Sequence, residues 1–459
     1  MKNPHSTPDL RGLLAKNDTK KVREICSSSH PGAVAEMLRT LSPDEVWSVL
    51  TLLKPRLRSE IFGNLDESLE VELAKSLKRH DLAEVITYMS ADERVDLLKR
   101  LPEDTQETLL PALAQAERED IRRLASYPEG TAGSVMTSDY CTLSPDDTAA
   151  EAIEKLRREA PDKETIYYSY VIDANRRLIG FVSLRELILA SPQTRVEQIM
   201  HRDIIFATVD EDQEEAARKI DKYDLIALPV VNGNNVLVGI ITHDDAIDII
   251  RQEQTEDMEM LMAIGGTHET GVYLRTPVWV HFKNRLGWLV VLALLGLVSG
   301  YIVQNFENLI LQFAVLASFM PMLADTGGNT GSQSATLVIR ALALREITNR
   351  DVLRVVWKEL RVAIPLAIVL AGLAYGRALF FSGSSSMPSG FSLETIGLAV
   401  SLALGIQVVT ATLMGAVLPL AAARMKFDPA VVASPALTTI VDITGLLIYF
   451  TTARYVLGI

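Results

Sequence analysis

From Ala35 to Leu53 the chain reads AEMLRTLSPDEVWSVLTLL, with apolar residues every three or four positions, and the pattern returns from Ala83 to Leu101 as AEVITYMSADERVDLLKRL. That spacing predicts amphipathic helices. In each copy a serine, Ser42 or Ser90, precedes two acids at the helix start: Asp44 and Glu45, then Asp92 and Glu93. A serine there caps free backbone N–H groups, and carboxylates in the first turn meet the positive end of the helix dipole. Residues 1–130 are therefore expected to form an acidic superhelical domain of stacked helical repeats.

A different duplication follows over residues 131–246. AGSVMTSDYCTLSPDDTAAEAIEKLR…SYVIDANRRLIGFVSLRELI is echoed by VEQIMHRDIIFATVDEDQEEAARKID…ALPVVNGNNVLVGIITHDDAIDII. Each copy predicts an amphipathic helix, a β-rich stretch (YVID or LPVV), a turn rich in Asn and Asp, a second strand and another helix, an α+β unit. From Ala246 a connecting helix is expected within 247–280. Its spacing sets Asp245, Asp248, Gln252 and Glu256 on one stripe, with Ile249, Glu253 and Asp257 beside it. Carboxylates that close repel unless a counterion intervenes.

Five long apolar runs occupy 281–459: about Leu286–Val303, Leu309–Leu344, Val362–Phe381, Ile396–Ala423 and Ala430–Tyr455. About 20 apolar residues cross a bilayer, so an all-α five-helix membrane domain is expected. Basic residues gather in alternate connections: Lys283 and Arg285; Arg345, Arg350, Arg354, Lys358 and Arg361; Arg424 and Lys426. QNFEN and FSGSSSMPSGFSLE, between them, carry none. The positive-inside rule then puts the N-terminal domains in the cytosol and the C-terminus outside. The whole is a multidomain membrane protein.

Charge sharpens this division. The net charge of −13 over 459 residues splits into about −16 before Arg285 and about +3 from there on. An acidic soluble half makes nucleic acid a poor partner and cations good ones. The two cysteines, Cys26 and Cys141, give no disulfide framework and argue for a reducing compartment.

Two carboxylates fall within the apolar runs, Asp325 and Asp442. Asp442, in SPALTTIVDITGLLIYF, has no basic residue within a helical turn, and such a group ordinarily faces the bundle interior or a wet path. Asp325 opens a polar stretch, DTGGNTGSQS, whose Gly327, Gly328 and Gly331 let backbones approach closely and can bare carbonyl oxygens. Asn329, Thr330 and Gln333 add neutral oxygens. Oxygen donors without histidine or thiol suit a hard cation such as Mg2+ or Ca2+.

Within the duplicated α+β region, GIITHDD resembles the G-x-x-T-x-x-D segment of CBS domains. The resemblance implies that Thr242 and Asp245 could hold the ribose and phosphates of ATP, although the first copy has Glu186 in the aspartate's place. PMLADTGGNTGSQSATLVIRALALREI and FDPAVVASPALTTIVDITGLLIYF resemble the two signature segments of the MgtE family of magnesium channels and transporters. The order of parts agrees: acidic helical domain, CBS pair, connecting "plug" helix, five membrane helices. The resemblance implies a homodimer in the cytoplasmic membrane with its pore on the two-fold axis. It gives Asp442 as the pore aspartate, Gly328, Asn329 and the Thr438 backbone where the pore narrows, and Asp428 near the cytosolic end of the last helix. Glu214, Asp224, Asp245, Asp248, Glu253 and Glu256, faced by Asp92, Glu93 and Asp96, correspond to acids that share regulatory Mg2+. Transport of another divalent cation or solute under CBS control is the alternative. An enzyme is not expected: His268-Glu269-Thr270-Gly271-Val272 lacks the second histidine of a zinc protease motif, and GGNTGS lacks the lysine of a P-loop.

Overall fold

The computed structural model describes residues 10–265, 273, 276–348, 350–381, 391–425, 427–432 and 434–458. Most of the Ser/Gly-rich connection FSGSSSMPSGFSLE, the string His268–Val272 and Lys426 lie outside the described residues. The chain divides into two compact units, Met1–Glu253 with Thr270–Arg275, and Gln254–Glu269 with Thr276–Ile459.

The first unit opens with short helices stacked in two rows. Pro31–Leu38, Pro55–Gly63, Arg79–Thr87 and Glu103–Leu109 pack in succession along one row, and Pro43–Leu50, Glu67–Ser76, Ala91–Arg100 and Gln115–Leu124 along the other. The repeat read in the sequence is thus a helical stack. Ser42 and Glu45 form a reciprocal cap, and the Ser90 N–H donates to the Glu93 carboxylate at 3.3 Å. Val34, Leu38, Val46, Leu50, Phe62 and Leu73 are among the fully buried side chains that hold the rows together.

Two three-stranded sheets follow. In the first, β1 (Thr142–Leu143) runs parallel to β2 (Tyr168–Ile172), which pairs antiparallel with β3 (Leu178–Ser183). The second repeats the order with β4 (Ala207–Thr208), β5 (Ala227–Val231) and β6 (Leu237–Thr242). Both have a register irregularity near the end of the middle strand, at Val171/Ile172 and at Val230/Val231. The copies are tied crosswise: Leu178 N–H donates to Asn235 O at 2.9 Å and Leu237 N–H to Arg176 O at 3.2 Å. The Tyr140 and Tyr170 hydroxyls reach the Leu237 and Ala227 carbonyls of the other copy. The expected connecting helix is present as His243–Leu261.

In the second unit, helices Val278–Asn305, Val352–Phe381, Leu393–Arg424 and Ser434–Leu457 are each long and apolar enough to cross a membrane. The second expected run departs from its reading as one long segment. It divides into Glu307–Gln312, Ala314–Ala317 and Met320–Ala343, broken at Phe313, whose backbone leaves the helical region, and restarted with Pro321 in the first turn. Met320–Ala343 has 24 residues, about 36 Å at ~1.5 Å per residue, which is length enough to span. Its polar residues are what keep it from qualifying by composition.

Candidate functional site

Met320–Ala343, Leu393–Arg424 and Ser434–Leu457 pack on one another, and glycine sets how closely. A Cβ on Gly415 would collide with the Gly331 carbonyl oxygen and lie 3.0 Å from the Gly331 carbonyl carbon. One on Gly328 would lie 3.0 Å from Thr438 Cγ2, and one on Gly331 3.4 Å from Val441 Cγ2. Small residues allow this approach where lipid supplies no hydrophobic drive. The expectation that these glycines bare carbonyl oxygens is corrected, because the helix runs uninterrupted from Met320 to Ala343 and its interior carbonyls accept from N–H groups four residues on.

Gln407, on Leu393–Arg424, is wedged between Gly327 and Gly445. It is 1% exposed and donates through Nε2 to the Leu323 carbonyl at 3.1 Å, while its Oε1 has no partner among the described residues. It was not anticipated from sequence, although a lone amide in the apolar run LALGIQVV was a visible signal.

The tight packing leaves one polar face uncovered. On Met320–Ala343, Asp325, Asn329, Ser332 and Thr336 follow helical spacing; Asn329 Nδ2 donates to Asp325 Oδ1 at 3.1 Å, and both residues are exposed. On Ser434–Leu457, Thr438 and Asp442 stand one turn apart, flanking the buried Leu437, Val441 and Gly445. Ser332 Oγ and Thr438 Oγ1 lie 3.5 Å apart and join the two stripes. Asp442 is half-buried, and its Oδ1 is cut off from solvent without a hydrogen-bond partner among the described residues. A buried carboxylate oxygen left unpaired is costly, and a cation or its hydration water would satisfy it. Leu261, at the end of the connecting helix, packs against the cluster of Ala335, Ile339, Ala411, Leu437 and Val441. Asp428 lies before the last helix and accepts from Ala430 N–H at 2.7 Å.

The first unit brings a second set of acids together. Asp92 and Glu93, in the first turn of Ala91–Arg100, share electrostatic surroundings with Asp244 and Asp245 at the start of the connecting helix and with Asp139 and Glu164. Glu93, Asp139, Glu164 and Asp244 line an open cleft of about 640 Å³. Burial, reinforced by the Asp92 charge, pushes the Asp245 carboxyl up to about 8. Burial also raises Asp92 and Glu93, the Asp92 charge adding to the latter. Asp92 Oδ1 is again a buried oxygen with no partner among the described residues. Among those residues no three carboxylate, histidine or cysteine side chains converge closely enough to cage a bare ion. The donor set suits an ion that keeps waters and bridges walls.

Three of the other anticipated acids have partners of their own. Glu214 pairs with Arg218, Asp248 with Arg251 at 3.3 Å, and Glu253 accepts from Gln213 Nε2 at 2.6 Å. Asp224 caps the helix Gln213–Tyr223 in the left-handed region, φ 51°. Asp96 is exposed on the same helix as Asp92, and Glu256 lies on the part of the connecting helix that belongs to the second unit. Thr242, buried, donates its hydroxyl to Asp245. Asp139, Glu164 and Asp244 were not anticipated from sequence; they converge with Asp92 only through the fold.

Known protein families match most of the chain. Residues 29–130 match the MgtE intracellular N domain, 132–192 and 196–252 the CBS domain, and 320–452 MgtE, a divalent cation transporter. The magnesium transporter MgtE of Thermus thermophilus is 37% identical over 98% of this chain and 98% of its own length. That of Bacillus subtilis is 32% identical over 95% and 94%. A crystal structure of the cytosolic domain of the Mg2+ channel MgtE in complex with ATP is 38% identical, covers 52% of this chain and 98% of its own, and superposes with a TM-score of 0.50. The soluble part of a magnesium transporter matches at 30% identity over 53% of this chain and 96% of its own, with a TM-score of 0.51. The chain therefore belongs to the MgtE family of divalent cation transporters.

Proposed function

We propose that this chain is a magnesium channel of the cytoplasmic membrane, working as a homodimer whose pore is walled by the two copies of the Asp325–Asn329–Thr438–Asp442 face. The observation that carries this is the half-buried Asp442 with its unpartnered oxygen on a polar face in an otherwise apolar unit. Turned to lipid, such a group costs about 2.5–3.5 kcal/mol even on the insertion scale. Turned to its twin across an axis, it becomes a divalent-ion site. At ~5 Å and an effective dielectric of ~20, each carboxylate attracts Mg2+ by roughly 7 kcal/mol before desolvation, twice the attraction for a monovalent ion. Mg2+ sheds water reluctantly, so an ion held through its hydration shell avoids most of the dehydration cost. Gly328 and Asn329 would set the width beside Thr438, and Asp428 would draw ions to the cytosolic mouth. The basic connections support a cytosolic N-terminus and an external C-terminus.

In the same reading, cytosolic magnesium closes the channel. Ions bridging Asp92, Glu93, Asp244 and Asp245, with further acids of the connecting helix, would hold the acidic parts together; when magnesium is scarce, the carboxylates repel. The ion shifts this balance only by its differential affinity for the two states. ATP on the CBS pair, near Thr242, is supported by the related cytosolic domain crystallised with it. Magnesium uptake into liposomes containing the full chain, with internal magnesium varied, tests the proposal: entry should fall as internal magnesium rises. Entry indifferent to internal magnesium would remove the regulatory part, and no entry above empty vesicles the whole.

A further inference from the structure

Between the ends of Met320–Ala343 and the start of Val352–Phe381 lies a recess of about 320 Å³, separate from the Asp442 face. That volume falls at the lower end of small-ligand pockets. Its charged lining is balanced: Arg340 and Lys358 against Glu346 and Glu359. Glu359 sits at the buried end, 8% exposed, and its Oε2 accepts from the Oγ of Ser334, itself 3% exposed, at 2.9 Å. Arg340, Lys358 and Glu346 make no ion pair among the described residues, although opposite charges share the recess. Deeper along the two helices, the recess is bounded by Leu337, Val362 and Leu366, all exposed apolar side chains. Charged groups at helix ends with bare apolar side chains beyond them match the layering of a phospholipid, headgroup at the boundary and acyl chains below.

We propose that this recess is a headgroup site for a zwitterionic aminophospholipid. The phosphate would accept from the Arg340 guanidinium and the Lys358 ammonium, and the primary ammonium would donate to Glu346, with acyl chains against Leu337, Val362 and Leu366. Balanced charge selects a zwitterion over an anionic lipid, which would bring the Glu346 and Glu359 carboxylates a like charge. A choline headgroup has no N–H to give Glu346, so it lacks the contact that separates the two zwitterions. The proposal rests on the chain lying in a bilayer and not on what it transports.

Full-length chain extracted from vesicles of equimolar phosphatidylethanolamine, phosphatidylcholine and phosphatidylglycerol, with retained lipids counted by native mass spectrometry, tests it. Phosphatidylethanolamine should be enriched about tenfold over phosphatidylcholine, the worth of one charge-assisted hydrogen bond. Glu346→Gln should bring that ratio near one while phospholipid is still retained, and Arg340→Gln with Lys358→Gln should release both lipids. Glu346 is exposed, so its variant carries the test even where the double variant does not fold. Preferential retention of phosphatidylglycerol, no enrichment of phosphatidylethanolamine, or an enrichment unchanged by Glu346→Gln would overturn the proposal. Because lipid retention is read without ion flux, its failure leaves the channel assignment untouched.

Discussion

Replacing Gly415 by alanine puts a methyl group where the Gly331 carbonyl oxygen already stands, 3.0 Å from that carbonyl's carbon and 3.1 Å from Ser334 Cβ. Backbone atoms cannot rotate aside as a flexible side chain can. Met320–Ala343 and Leu393–Arg424 would have to part by about 1 Å, and overpacking of this kind costs about 1–3 kcal/mol. Gly372, on Val352–Phe381, is the control, because a Cβ there meets nothing within 4 Å. Gly372→Ala should gain up to about 1 kcal/mol of helix propensity. Gly415→Ala gains the same propensity, so the two variants should differ by the overpacking cost alone, about 1–3 kcal/mol. At ~2–4 °C per kcal/mol for a unit of this size, their melting temperatures in detergent should lie roughly 2–12 °C apart. Gly331 also meets Val441 and Leu437 on the helix that carries Asp442, so Gly415→Ala should lower magnesium uptake and Gly372→Ala should not. Equal melting shifts for the two variants, or Gly415→Ala melting above the native chain, would refute the packing argument.

Two further outcomes follow from the acids of the first unit. Burial raises both Glu70 and Asp245 to about 8, Arg100 partly opposing it at Glu70 and the Asp92 charge reinforcing it at Asp245. From the ordinary carboxylate range near pH 4 to about pH 8 the folded chain then holds more protons than the unfolded one, so metal-free stability should fall as pH rises through that window and level off above it. Unfolding midpoints in chelator at pH 6 and pH 8.5 check the sign; Asp245→Asn should shrink the difference, and a higher midpoint at pH 8.5 would contradict the reasoning. Asp92→Asn should relieve repulsion, raising the metal-free midpoint at pH 8 while reducing the added stability that magnesium confers. An unchanged magnesium increment would mean that Asp92 takes no part in holding the ion.

Much of this architecture was legible because each part carries its own periodicity. The Ser42 and Ser90 caps announced the helical repeat, and the paired YVID and LPVV strands announced the duplicated sheets, since these signals are local. Asp442 stood out for a similar reason: a carboxylate without a neighbouring cation inside an apolar run. What escaped depends on tertiary contact. Asp139 and Glu164 are distant in sequence from Asp92, and only folding brings them to one cleft. Asp248 shared helical spacing with Asp245, and the family resemblance implied Glu214, but both have arginine partners. The glycines of DTGGNTGS read equally well as bared backbone or close packing; the helix through Gly331 and its contact with Gly415 decide for packing. The break at Phe313 was hidden because the apolar run continues through it.

In the proposed channel the negative charge at Asp442, not its shape, draws magnesium through the membrane. Asp442→Asn keeps the side chain's size and removes the charge, so magnesium uptake into liposomes at equal protein content tests it directly. Uptake should fall to near the level of empty vesicles, with any residual flux no longer favouring magnesium over sodium. Uptake by Asp442→Asn at the native rate, with selectivity intact, would contradict it.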